Sequence, residues 1–126
     1  VIYLQRRYNI LREVCGLTEE LAEAVERGDT VSASLLLDMR GDQLQRHAEC
    51  EEQIILKTLG NTPQTRYLRQ LARGPIREVK NAFQGKTERE KVLEKRIEEL
   101  RYRTQKLLDK IRRLDGQLNR KIVKHR

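Results

Sequence analysis

Few residues here have the types and spacing that chemistry needs. His47 and Cys50 are three apart and share a helix face, but two ligands do not make a zinc site. The second histidine, His125, falls in the last two residues. The carboxylate pairs Glu51-Glu52 and Glu98-Glu99 are adjacent in sequence, so on a helix they point to different azimuths and do not work as an acid/base pair. There is no Gly-rich phosphate loop, no CxxC and no HExxH. The residues therefore predict no catalytic group, no metal and no cofactor, and they argue against an enzyme. Cys15 and Cys50 are expected to be reduced, buried thiols. In a hairpin turning at Gly28-Asp29, Cys15 faces the neighbourhood of residue 42, about 12 Å from Cys50 at helical rise.

What remains is periodicity. Leu93, Ile97, Leu100, Thr104, Leu107, Ile111, Leu114 and Leu118 recur with gaps of four and three, one stripe of a helix. No Pro interrupts the run. Thr87 can cap this helix, with Glu90 completing a capping box. At 1.5 Å per residue, a helix over 87–124 is roughly 57 Å long.

The rest of the chain reads as helices separated by breakers. A first helix over 2–27 carries an apolar face through Leu4, Tyr8, Leu11, Val14, Leu17, Leu21, Ala24 and Val25. Glu19, Glu20, Glu23 and Glu26 form an acidic side, expected to be solvated. Gly28 suits the left-handed position after a helix, and Asp29 or Thr30 can cap the next. So short a connection predicts an antiparallel pair, with a second helix over 31–59. That helix is apolar at both ends and thinly covered in its middle. Gly60-Asn61-Thr62-Pro63, Gly74-Pro75 and Gly85 then frame two short helices, 63–72 and 75–84, which return the chain onto the hairpin. The fold class expected is all-α: one domain, an antiparallel hairpin, short connecting helices and a long C-terminal amphipathic helix. High charge, 4% aromatics and no Trp suit thin helix-on-helix layers. No stretch is apolar enough for a membrane span, and Val1-Ile2-Tyr3-Leu4 is too short for a signal peptide, so a cytoplasmic protein is expected.

Charge is unevenly placed. Residues 1–100 hold 17 charges of each sign, whereas residues 101–126 hold ten Lys or Arg and two acids. The whole net charge of +8 lies on the second half of the last helix. Its basic surface is Arg101, Arg103, Lys106, Lys110, Arg112, Arg113, Arg120, Lys121 and Lys124. The last helix is also longer than its partners, and its basic end still carries Leu118, Ile122 and Val123. An uncovered, amphipathic C-terminal overhang beginning near Gly116 is therefore the expected docking surface. A homodimer through this helix and a monomer with a displaced tail both satisfy the stripe.

Three functional readings follow: a chaperone that masks an apolar segment of a client, a nucleic-acid binder using the basic half of the last helix, and a structural coiled-coil interaction module. Only Tyr102 lies within the basic half, which gives bases almost nothing to stack on. The helix breaks suit a folded-back chain better than a continuous coil.

The stretch Leu21-Ala22-Glu23-Ala24-Val25-Glu26-Arg27-Gly28-Asp29, then Leu35-Leu36-Leu37, Met39-Arg40 and Leu44, resembles the flagellar export chaperones of the FlgN/FliT type. The long final helix with few aromatics matches their layout. The resemblance implies a small cytosolic helical protein in bacterial flagellum biogenesis. It would bind helical termini of hook-associated or filament-cap proteins before type III export, then hand them to the membrane export gate. It also implies client contact on the last helix, here at Leu107, Ile111, Leu114, Leu118 and Ile122.

Overall fold

The computed structural model describes residues 2–60, 62–73 and 88–124. It is an all-α bundle of four helices among those residues: α1 (Ile2–Arg27), α2 (Thr30–Lys57), α3 (Pro63–Arg73) and α4 (Glu88–Lys124). The short helix expected at 75–84 and the Thr87 cap lie outside the described residues.

Local chemistry explains where the helices stop. Gly28 has φ +71°, its N–H donates to the Val25 carbonyl at 3.1 Å, and Asp29 N–H donates to the Ala24 carbonyl at 2.9 Å. This pair of bonds with a left-handed glycine is the Schellman closure of a helix. Asp29 also caps α2, its carboxylate accepting from Ser32 N–H at 3.0 Å. One residue thus ends one helix and starts the next. Thr62 caps the start of α3, where its hydroxyl accepts from Thr65 N–H at 3.1 Å and Pro63 takes the first helical position.

The hairpin of α1 and α2 is antiparallel. Arg7 pairs with Glu51 at 2.9 Å near one end, and Arg40 Nε donates to the Thr18 hydroxyl at 3.0 Å further along. Because α2 finishes beside the start of α1, the chain re-enters there, and α4 runs parallel to α1. Leu4 shares a core cluster with Ile97 and Leu100, while Leu11, Val14 and Cys15 share another with Ile111. Lys110–Glu19 at 2.8 Å and Lys121–Glu26 at 2.9 Å continue the same register.

α1 is therefore the central element. It buries Leu4, Leu11, Val14, Cys15, Leu17, Thr18, Leu21 and Ala24, using both its α2 side and its α4 side. α2 buries only Cys50 and Ile54 within its helical span. Each fully buried Leu contributes about 2–3 kcal/mol of transfer free energy, so α1 and the seam of α4 hold most of the stability.

The overhang expected at the basic end of α4 is corrected. The parallel register carries α1 as far as Lys121, so the surplus length lies at the start of α4. There Val92 and Leu93 are exposed. α3 approaches that end, with Tyr67 donating to Glu94 and Arg101 to the Gln70 carbonyl.

Candidate helix-docking groove

The seam residues expected to grip a partner are held by α1. Ile111 and Leu118 are buried, and Leu107 and Leu114 are half-buried. Ile111, Leu107 and Leu114 pack in the cluster with Leu11, Val14 and Cys15. The side chain of Ile122 lies outside the described residues. The seam is closed within one chain because parallel pairing sets the apolar stripe of α1 against it turn by turn. Thr104, the polar member of the stripe, stays buried because its hydroxyl donates to the Leu100 carbonyl at 2.7 Å.

Acids answer much of the basic surface. Lys110 pairs with Glu19 and Lys121 with Glu26 on α1, Arg103 with Glu99 and Arg112 with Asp109 on α4 itself. Glu19 and Glu26 thus reach across to α4, where the sequence predicted a purely solvated side. The Lys110 ammonium, by hydrogen bond and charge, lowers the Glu19 pKa below its ordinary value. Lys106 sits over the Tyr102 ring at 4.7 Å. Arg113 and Arg120 are exposed, Arg101 is half-buried, and the Lys124 side chain lies outside the described residues.

The open surface lies on α2. Val31, Leu35, Leu37, Met39, Leu44, Ile55 and Leu56 are all exposed, Val31 at 81%, as is Leu59 just past the helix. The sequence carried a signal for this. Three consecutive leucines, Leu35-Leu36-Leu37, span most of a helical turn, so one neighbouring helix cannot cover them all. Leu36 is half-buried, while Leu35 and Leu37 stand in solvent.

Leu37, Leu44, Ala48 and Ile55 are spaced seven, four and seven, which keeps them on one side of α2. Ile55 opens into a cleft of about 380 Å³ between α2, α3 and α4. Arg7, His47, Glu51, Arg73, Arg101 and Leu108 line the same cleft. Beyond it α2 meets α4 through Arg40, whose guanidinium donates to both Asp115 oxygens at 2.9 Å. Arg7 donates to Glu51, yet its buried Nε has no partner among the described residues. Burial lowers the His47 pKa; Glu51, 3.6 Å away, opposes that shift and Arg7 adds to it. Burial, then the charge of Arg7, lowers the Arg101 pKa from its ordinary value.

Cys50 is not at the cleft; its thiol donates to the Tyr3 carbonyl at 3.1 Å in the core. Burial raises the pKa of both Cys15 and Cys50, so neither is a ready thiolate. Among the described residues no three His, Cys, Asp or Glu side chains gather in a metal-holding group, and no helix is long and apolar enough to cross a membrane. Comparison with family models, with curated proteins and with solved structures yields no match.

Proposed function

We propose that this chain is a cytoplasmic chaperone of the flagellar type III export kind, which holds an amphipathic helical terminus of a hook-associated or filament-cap protein on α2 and delivers it to the export gate. One observation carries the reading: α2 leaves seven large apolar side chains in solvent while its inner side closes the core. Leu37, Leu44, Ala48 and Ile55 line one side of α2, and such an uncovered apolar edge is a protein-docking feature. Leu37 and Leu44, two of the residues that resemble the chaperone pattern, belong to that edge, and Leu35 and Met39 of the same pattern are exposed on another side of α2. The docking side is α2 and not the seam of α4, because the seam is already covered by α1. Arg40 of the same pattern acts inside the fold, tying α2 to Asp115 and Thr18.

The nucleic-acid alternative draws on the +8 charge of the last 26 residues. Glu19, Glu26 and Glu99 offset three of those charges, and flat aromatic platforms are missing from α4 apart from Tyr102.

Calorimetric titration with hook-associated protein terminal peptides tests the reading. Leu37→Asp together with Leu44→Asp should abolish binding while shifting unfolding free energy by less than about 0.5 kcal/mol, because both residues are exposed. Undiminished binding in that variant removes α2 as the site. Tight, steeply salt-dependent binding to generic duplex DNA, with no peptide binding, would replace the chaperone reading altogether.

A further inference from the structure

The side of α4 that faces away from its seam carries an ordered row of cations. Lys95, Tyr102, Lys106, Arg113 and Arg120 follow one another at gaps of seven, four, seven and seven. All five are exposed, Tyr102 at 56%. The buried Ile97, Leu100, Ile111 and Leu118 take the opposite side of the same turns. At about 100° per residue, Lys95 and Arg120 differ in azimuth by roughly 20°, so the row runs close to parallel with the helix axis for about 38 Å. α4 is one helix over that whole length.

The row keeps its charge. Lys95, Arg113 and Arg120 have no ion-pair partner among the described residues, and Lys106 sits over the Tyr102 ring at 4.7 Å. Glu99 and Asp109, which border the row, pair with Arg103 and Arg112. Glu98, half-buried, stands near the Lys95 end, so the charge is densest from Lys106 to Arg120. Residues 74–87, which join α3 to α4, hold three Lys or Arg and one Glu in sequence, and so bring more cations than acids.

We propose that this row is a docking face for an anionic lipid bilayer, on which α4 lies flat with its cations against headgroup phosphates. Because the cations share one line, all of them reach a plane at once. Duplex DNA fits the row less well: its major groove is about 12 Å wide and winds through a full turn in about 34 Å, so a rod of this length leaves the groove. Tyr102 adds an amphipathic ring of the kind that settles at headgroup depth. Lys and Arg stems lie along the interface while their charges stay wet. The attachment is peripheral, since the apolar side of α4 stays on α1 and no described helix is long and apolar enough to cross a membrane. The inference does not rest on the chaperone reading, whose apolar edge belongs to α2.

The full chain is cosedimented with vesicles of phosphatidylcholine alone, and with vesicles of phosphatidylcholine and phosphatidylglycerol in equal parts. Binding is expected to the mixed vesicles only, weakening as added salt screens it. Each cation near such a surface is worth about fivefold in affinity. Arg113→Gln with Arg120→Gln should therefore weaken binding by on the order of 25-fold. Arg6→Gln with Arg12→Gln removes the same net charge from exposed positions on α1 and should cost less than about twofold. Thermal melts followed by circular dichroism check that the variants fold; should the first pair not fold, Arg120→Gln alone carries the test at about fivefold. Equal losses in the two double variants, equal binding to both kinds of vesicle, or binding to neither overturns the proposal. Tighter binding to generic duplex DNA than to the mixed vesicles at the same salt also overturns it, and makes nucleic acid the partner.

Discussion

His47 stands on α2 with Glu51 one turn away and Arg7 of α1 beyond it. Burial disfavours its charged form, so its pKa in the fold lies below the usual 6.5. Between those two values the unfolded chain binds a proton that the native chain refuses. Stability therefore falls as pH drops through 6.5, and the loss is complete below the folded pKa. Urea titrations from pH 7.5 to 5 should show this decline, and His47→Gln should flatten it. A variant with the same slope as the parent would assign the pH response to other groups. Glu19 works in the opposite chemical sense but with the same slope. Its pKa is lowered by Lys110, so its contribution is present at neutral pH and lost only in more acidic solution.

At the scale of elements, α1 does most to organise the bundle. Its two apolar sides accept α2 and α4, and its acids Glu19 and Glu26 set the register of α4 through Lys110 and Lys121. The helices themselves carry removable weaknesses. Gly41 in α2 and Gly116 in α4 have helical neighbours on both sides, and a Cβ added at either meets nothing within 4 Å. Gly41→Ala and Gly116→Ala should each stabilise the protein by about 0.5–1 kcal/mol, measured as a shift in urea midpoint at constant slope. A loss at Gly116 would mean that this turn of α4 needs the glycine's freedom. Gly28 is different: its positive φ would strain any side chain.

Across the whole molecule, two core clusters share α1, one around Leu4 and Leu100 and one around Leu11 and Ile111. Each contains one cysteine, Cys50 in the first and Cys15 in the second. Both thiols are buried with raised pKa values. Both should therefore label slowly with an alkylating reagent in the native state, at rates that rise together with denaturant. Leu100→Ala, expected to cost about 2–5 kcal/mol, should accelerate both thiols equally if the bundle unfolds as one unit. Faster labelling of Cys50 alone would show that the Leu4 cluster opens separately.

Among the described residues, the sequence alone determined the four helices and most of their ends. Heptad gaps, Gly28, Asp29 and Thr62-Pro63 act over a few residues, so their consequences are local and legible. It also determined which side of α1 and which side of α4 are apolar. Tertiary structure decided what covers what. An apolar stripe does not name its partner, and the direction of α4 depends on where α2 leaves the chain. Parallel pairing closed the seam at Leu107, Ile111, Leu114 and Leu118. α2, flanked by α1 on one side only, kept its other apolar residues in solvent. The gathering of Arg7, Arg73 and Arg101 was likewise invisible in sequence, because three different helices supply them and only their packing makes one cleft.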